Sequence, residues 1–586
     1  MNRREFLGAS AAAAITTSNV FSSLESIPPG RTSAYKTLQK PLDRFVEQYL
    51  RGMNAPGMTL ALADRDGVQR VVTYGFSDTE THTRVKPDEL FQIGSISKSF
   101  VSLCLLQLRD EGKLDLHKSI LDYLPWFQIE TSYDPVTVHH LLTHTSGLPG
   151  IPPVFLSDPT AKHRAAYAPG KLFHYNNMAF TLLGHLLMSL DGGSLPEIYR
   201  KRIFDPLGMS ATEPVITFDH RDRTAKNYFA AQGDRPFPRF GNLSEAPAIV
   251  MSSAAGCIAS TPHDMGRYVQ FLAQRGQAPK SRLLSEEGFS LFSKSHIKAD
   301  EFGPTAGYGY GIAVDSLDGH TIIRHTGGMI SFASAIQVDL DEGVGAFASI
   351  NAMQGYRPNP VAQYAIQLMR AHRAGKPLPA PPSITLATDV ENASDFAGTF
   401  QSATGKTLVF LADGRQLFLE RERQRIPLEH SGGDMFVAPH PDFSRFLLVF
   451  GRPIAASDGK DISVSNAKDK DAKSPKSPVV EVGWGGDWYV KSDYSGPKTF
   501  DYPKEWDAFV GHYRNENNWI GSMRVVIRKG ILLLDGVTPI APHNDGSFRA
   551  QGDESDTEWL RFHDVVDGHA QRVKFSGEDL WRVLAP

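Results

Sequence analysis

Apolar positions change their spacing along this chain, and the changes mark its parts. Around residue 40 a helical period gives way to two apolar runs, Met58-Thr59-Leu60-Ala61-Leu62 and Val68 to Tyr74, separated by Asp66-Gly67. This predicts a helix followed by a β-hairpin. From about 95 to 275 the signals are mostly helical, with loops rich in Pro and Gly. Strand signals return at Tyr308 to Val314, Thr321 to Arg324, Phe332 to Leu340 and Val344 to Ile350, before a helical stretch from about Val361 to His372. Strands at both ends with helices between them predict one antiparallel sheet completed by both chain halves, with the helical region beside it.

The pattern then changes. Gly375 to Ser383 reads GKPLPAPPS, a stiff proline-rich linker. Beyond it come short strands and turn signals. Asp395-Phe396-Ala397-Gly398-Thr399-Phe400 recurs as Ala508-Phe509-Val510-Gly511-His512-Tyr513. Each copy precedes an apolar strand pair: Leu408 to Leu411 with Gln416 to Leu419, and Val525 to Ile527 with Ile531 to Leu534. Two copies of a small antiparallel barrel are expected. The predicted organisation is a catalytic domain over 38–374, a linker over 375–387, one barrel over 388–496 and a second over 504–586. A low-complexity loop at about 455–478 interrupts the first barrel.

Composition narrows the function. Net charge is −4, from 61 basic and 65 acidic residues. A nucleic-acid binder needs a basic excess, so none is expected as partner. The two cysteines, Cys104 and Cys257, are too few for a disulfide scaffold or a zinc ribbon. No run reaches ~18 apolar residues, so no membrane span is expected. The N-terminus places Arg3-Arg4 before Phe6-Leu7 and an alanine-rich run from Gly8 to Thr17. That has the form of a twin-arginine export signal, with a lead over residues 1–27, and predicts a periplasmic or secreted protein. This route carries a folded protein, so the cysteines need not pair.

Ser-x-x-Lys occurs at Ser33, Ser95, Ser295, Ser457, Ser465 and Ser495, and context separates them. Only Ser95 opens a strong helical period, in which Phe100, Val101, Cys104, Leu105 and Leu108 share a face. At a helix N-terminus the dipole favours developing negative charge. Lys98, one turn on, lies on the same side and can shuttle the serine proton if its environment lowers its pKa. Tyr175-Asn176-Asn177 is a second signal. A tyrosine held among cations can become a phenolate base, and Asn177 can offer its amide to a substrate backbone. The third is His325-Thr326-Gly327-Gly328 after an apolar strand, where glycines let a substrate approach the strand edge. His325 supplies a polar or cationic group there, and the N–H groups of Ser95 and Gly328 are candidates for an oxyanion hole.

These three motifs, in this order, resemble the serine β-lactamase and penicillin-binding-protein superfamily. The branch they most resemble holds class C β-lactamases, D-aminopeptidases and related esterases. His140 to Leu148, Ala255 to Thr261 with Asp264, and Gly307 to Gly311 fit the same resemblance, which covers roughly residues 40 to 373. It implies an α+β, β-lactamase/transpeptidase-like catalytic domain, here followed by two lipocalin-like barrels able to cover or restrict the active site. By position, Ser95 is the nucleophile implied, Lys98 and Tyr175 share the proton traffic, Asn177, His325 and Gly327 orient substrate, and Gly328 completes the oxyanion hole.

One departure is informative. Familiar β-lactamases and D,D-peptidases carry lysine where this chain has His325. Histidine is only partly charged near neutrality, which weakens the hold on a substrate carboxylate. His-x-Gly followed by two barrels resembles D-aminopeptidases, and esterases tolerate the change. The expected activity is hydrolysis of D-amino-acid-containing peptides or small esters, without a cofactor, on a small-molecule or peptide substrate of cell-wall origin. The alternatives are a β-lactamase or D,D-carboxypeptidase, and a non-catalytic cell-wall sensor. His139, His140 and His144 invite a metal reading through the helical spacing of 140 and 144, but no carboxylate completes a ligand set. Trp484, Trp488, Trp519 and Trp559 are expected to fill barrel cores.

Overall fold

Both chain halves meet in one antiparallel sheet, as the order of apolar runs predicts. The computed structural model describes residues 24–25, 35–150, 162–231, 233–353, 357–452, 477–517, 519–551 and 556–584. Most of the expected export signal and lead (1–27) and most of the low-complexity loop lie outside them. Helix α1 (Lys36–Met53) leads into β1 (Gly57–Asp64) and β2 (Gly67–Asp78). Three helices that shape the site follow: α2 (Ser97–Asp110), α3 (Asn177–Asp191) and α4 (Pro262–Ala273). The chain returns through β3 (Gly307–Tyr308), β4 (Ala313–Leu317), β5 (His320–Gly328), β6 (Ala333–Asp339) and β7 (Val344–Ile350), and closes with α5 (Asn359–Arg373).

Strand β7 pairs with β1 from Val344↔Asp64 to Ile350↔Met58, which joins the halves. The order across the sheet is β2-β1-β7-β6-β5-β4-β3, with Leu24–Glu25 at one edge and Ile297–Lys298 at the other. Every residue of β1, β6 and β7 is buried, because helices cover both faces. Leu60, Leu62, Ala335, Ala346 and Ala348 pack with α1 and α5. Ile336, Val338 and Phe347 point the other way, into the cluster built with α2, α3 and α4. Burial on both faces explains why these strands read as continuous apolar runs rather than alternating ones.

The expected single strand from Tyr308 to Val314 is two. Strand β3 ends at Tyr308, and the chain folds back so that Tyr308 pairs with Ala313. Gly311 makes the fold possible: its φ is +72°, and a Cβ there would lie 2.3 Å from Ser102 Oγ on α2.

Beyond residue 392 the described chain is built of β-strands with short 3-10 turns between them. Nine strands run in sequence order from Gly398–Gln401 to Asp487–Val490, and the first pairs with the last at Gln401↔Val490. Gln424–Pro427 and Glu429–Gly432 are the two ends of this sheet and share no ladder, so the barrel is nearly closed. Eight further strands, Gly511–Arg514 to Glu578–Arg582, close into a complete barrel. Each copy of the repeated hexamer ends a 3-10 turn and begins a first strand. Phe396 and Phe400 enter one barrel core and Tyr513 the other.

The tryptophans depart from expectation. Trp484 packs on the first barrel's core. Trp488 donates instead to Glu481, Trp559 stacks under the Arg561 guanidinium, and Trp519 packs against the catalytic domain's core. A loop that docks on a neighbouring domain needs an apolar anchor, and single-chain composition cannot separate that from a barrel filler. Cys104 and Cys257 are both buried and free. Among the described residues, no helix is long and apolar enough to cross a membrane.

Candidate active site

Ser95 lies in a 3-10 turn, Gly94–Ile96, that runs directly into α2. Two glycines press this turn against the end of β5. Gly94 has φ +54°, and a Cβ there would sit 2.8 Å from the Gly328 nitrogen. A Cβ on Gly327 would lie 1.8 Å from the Ile93 carbonyl oxygen. The register of β4 on β5 ends at Ala313↔Arg324, so β5 is unpaired on that side from His325 onward. Its free edge therefore faces the serine turn, with Gly328 beside it.

Lys98 reaches back one helical turn. Its Nζ lies 3.0 Å from Ser95 Oγ, 2.8 Å from Asn177 Oδ1 and 2.8 Å from the Ala255 carbonyl. The side chain is fully buried, and burial holds its pKa well below the ordinary lysine value. A neutral amine has two N–H groups and one lone pair. The two carbonyl acceptors can take the N–H groups, which leaves the lone pair for the serine hydroxyl. Such an arrangement can draw the proton from a serine.

Helix α3 positions Asn177. Asn176 caps that helix by accepting from the Ala179 N–H at 2.7 Å, and its amide donates to the Leu148 carbonyl at 2.6 Å. The cap leaves Tyr175 just before the first turn and Asn177 just inside it. A phenolate at Tyr175 needs cations around its hydroxyl, and burial works against one. The hydroxyl is buried and burial raises its pKa, with only a smaller opposing pull from Ser95. Lys98 lies 4.9 Å over the ring face, where it does not pair with the hydroxyl. A neutral phenol is a proton donor before it is a base.

His325 is likewise not cationic. It is buried, and burial pushes its pKa down to about 3. Nε2 lies 3.0 Å from the Tyr308 hydroxyl and Nδ1 lies 2.6 Å from the Thr326 carbonyl. In the neutral ring Nδ1–H donates to the carbonyl and Nε2 accepts from Tyr308. Rings wall this pocket: Phe302 stands 5.4 Å from His325, and His144 lies 4.4 Å from Tyr175 and 4.9 Å from Tyr308.

The helical spacing suggested for His140 and His144 does not exist. The short helix Val138–Leu142 has ended before His144, which has φ +58°. His140 completes the N-terminal capping box of that helix, and His139 bonds the Tyr310 hydroxyl. His144 Nδ1 accepts from the Asn176 N–H at 3.0 Å.

The structure thus brings Ser95, Lys98, Tyr175, Asn177, His325, Gly327 and Gly328 to one place. Sequence reasoning missed three contributors. The Ala255 carbonyl belongs to a segment noted only for leading into α4. Tyr308 was read as strand. Glu558 comes from the second barrel, where it accepts from the Gly150 N–H at 2.8 Å and lies 3.6 Å from His174 Nε2. No local pattern marks Glu558.

Comparison with known proteins agrees with this geometry. The chain is 27% identical over 370 residues to the D-alanyl-D-alanine-carboxypeptidase/endopeptidase AmpH of Escherichia coli K12, covering 58% of this chain and 91% of that protein. It is 23% identical over 359 residues to protein flp of Staphylococcus aureus N315, covering 57% of this chain and 67% of that one. The solved structure of the octameric penicillin-binding protein homologue from Pyrococcus abyssi superposes with a TM-score of 0.53 at 22% identity, covering 78% of this chain and all of that one. With the Beta-lactamase family model matched over residues 42–370, the chain belongs to that family of serine hydrolases, within the serine β-lactamase and penicillin-binding-protein superfamily.

Proposed function

We propose that this protein is an exported hydrolase that cleaves amide or ester bonds through an acyl-enzyme on Ser95. One observation carries the reading: a fully buried lysine amine, held by two carbonyl acceptors, stands 3.0 Å from the serine hydroxyl. Ser95 Oγ attacks the substrate carbonyl as its proton passes to Lys98. The N–H groups of Ser95 and Gly328 receive the oxyanion. As the intermediate collapses, the proton passes to the leaving amine or alcohol, with the neutral Tyr175 phenol as relay. Water then attacks the ester, gives a proton back to Ser95 and releases the acid.

The substrate class rests on the state of His325 in the third motif. His325 is neutral and fully engaged, so it offers no charge to a substrate carboxylate. Glu301 acts electrostatically on His174, Tyr175 and Tyr308, adding negative potential. This favours peptides with an N-terminal D-residue, whose free end is an ammonium, and small neutral esters. The second reading, a D,D-carboxypeptidase, draws on the likeness to AmpH. Export rests on the Arg3-Arg4 signal.

The test is steady-state hydrolysis with Ser95→Ala as control, on D-alanine p-nitroanilide, L-alanine p-nitroanilide, p-nitrophenyl butyrate and nitrocefin. Activity on the D-anilide that Ser95→Ala abolishes is the expected result. Rapid nitrocefin turnover would overturn the substrate class. Silence on all four with a folded protein would overturn the catalytic reading.

A further inference from the structure

The second barrel reaches the catalytic centre by an unbroken series of hydrogen bonds. Glu558 Oε1 accepts from the Gly150 N–H at 2.8 Å. The Gly150 carbonyl accepts from the Asn177 N–H at 3.2 Å. Asn177 Oδ1 is 2.8 Å from Lys98 Nζ, which is 3.0 Å from Ser95 Oγ. Each step joins groups that are buried or half-buried, and Glu558 itself is only 5% exposed.

Described residues on both sides anchor this series. Thr557, next to Glu558, donates to the Leu148 carbonyl at 3.1 Å. The Asn176 side chain donates to the same carbonyl from the other side. A Cβ on Gly150 would lie 2.4 Å from the Asn176 side chain, so the 148–150 loop lies directly on the cap of α3. His174, beside Glu558, is tied by its own N–H to the His144 carbonyl at 2.9 Å. Trp519 of the same barrel packs on the catalytic core. The loop at 148–150 is therefore held between the cap of α3 and a carboxylate supplied by another domain.

We propose that Glu558 is a positioning residue of the active site: by accepting from Gly150 it fixes the loop that sets Asn177, and through Asn177 the Lys98 amine. The barrel then is part of the catalytic apparatus, because it supplies the acceptor for the Gly150 N–H. A displacement of even 1 Å between reacting groups costs large factors in rate, so a remote hydrogen bond can carry a kinetic effect. The inference rests on the Ser95–Lys98 reading above and names a further residue on which that pair depends.

The experiment uses the full chain and reads the rate at which a fluorophosphonate labels Ser95, which needs no knowledge of the substrate. Four variants separate the possibilities: Glu558→Ala, Glu558→Gln, Glu558→Asp and Thr557→Val. Glutamine keeps an acceptor oxygen at the same reach and loses the charge. Aspartate keeps the charge and withdraws the oxygen by one methylene. The expected pattern is labelling slowed at least tenfold in Glu558→Ala and Glu558→Asp, and kept within about threefold in Glu558→Gln. Thr557→Val, which removes an anchor of the same loop but leaves the Gly150 N–H its acceptor, slows labelling by less than Glu558→Ala does. On a turned-over substrate the loss in Glu558→Ala appears in kcat with KM changed less than threefold.

Glu558→Asp labelling as fast as the wild type overturns the proposal, whether or not Glu558→Ala folds. So does Glu558→Gln slowing as far as Glu558→Asp, which would assign the effect to charge. Failure of the wild-type protein itself to label at Ser95 would instead overturn the catalytic reading, so the two failures are distinct.

Discussion

Lys98 Nζ lies 3.0 Å from Ser95 Oγ, and its two other polar contacts are the neutral oxygens of Asn177 and Ala255. Among the described residues no carboxylate stands there to hold the ammonium form, and burial opposes it. A base works in its deprotonated form. An unshifted lysine would make log kcat/KM climb with unit slope up to about pH 10.4. With the pKa held well below that, the profile is expected to fall short of unit slope between pH 8 and 10 on a neutral ester substrate. A unit slope across that range would show that the amine titrates as an ordinary lysine. Replacing Lys98 by methionine is expected to lower single-turnover acylation by about 10²–10⁴-fold, the usual range for a lost general base.

Much of this site was legible because its chemistry is local. Ser95 and Lys98 are one helical turn apart, and the apolar face of α2 fixes which way they point. The strands β6 and β7 were legible for a similar reason, since burial on both faces leaves an unmistakable apolar run. Charge states were not legible. The sequence left a phenolate at Tyr175 conditional on nearby cations and the protonation of His325 open, because a residue's sequence neighbours do not reveal how completely it is buried. Glu558 was invisible because its partner lies 408 positions away and each side of the contact looks like an ordinary loop.

The neutral state of His325 has its own test. Tyr308 donates to Nε2 and the Thr326 carbonyl accepts from Nδ1, so the ring has no free donor for a carboxylate. Because its pKa lies at about 3, activity on a carboxylate-bearing substrate is expected to show no limb from this residue between pH 5 and 8. His325→Lys introduces a cation at the same strand position. It is expected to raise the rate of acylation by nitrocefin relative to p-nitrophenyl butyrate by about tenfold, equivalent to about 1.4 kcal/mol of differential binding. An unchanged ratio in a folded variant would remove charge at position 325 as the determinant of substrate class.

Gly327 tests the steric side of the site. The 1.8 Å that separates an added Cβ from the Ile93 carbonyl is backbone against backbone, so no rotamer change relieves it. Gly327→Ala is expected to cost about 1–3 kcal/mol of stability, the usual range for overpacking. It also drives the end of β5 away from the Ser95 turn, and with it the Gly328 N–H. Activity is therefore expected to fall by about 10²-fold or more, the scale of a lost oxyanion donor. Thermal unfolding and kcat measured on the same preparation check both, and loss of stability with full activity would separate Gly328 from the oxyanion.

The contact between His174 and Glu558 makes stability depend on pH in a set direction. Burial alone pushes the His174 pKa down, but Glu558 and Asp556 of the barrel and Glu301 of the catalytic domain outweigh it, and the net shift is upward. The neighbouring His144, itself held neutral by burial, adds no charge that reverses this. A histidine with a raised folded pKa binds its proton more tightly when folded. Its contribution is fully present below the unfolded value of about 6.5 and is lost as pH rises through the folded value. The melting temperature of the wild type should therefore exceed that of Glu558→Gln most at pH 6, and the gap should narrow as pH rises past His174's titration. Salt should narrow it little, because the pair is buried and screening acts mainly on exposed charges. A gap that widens with pH would mean that His174 is neutral in the folded protein and that its contact with Glu558 adds no charge pairing between the two domains.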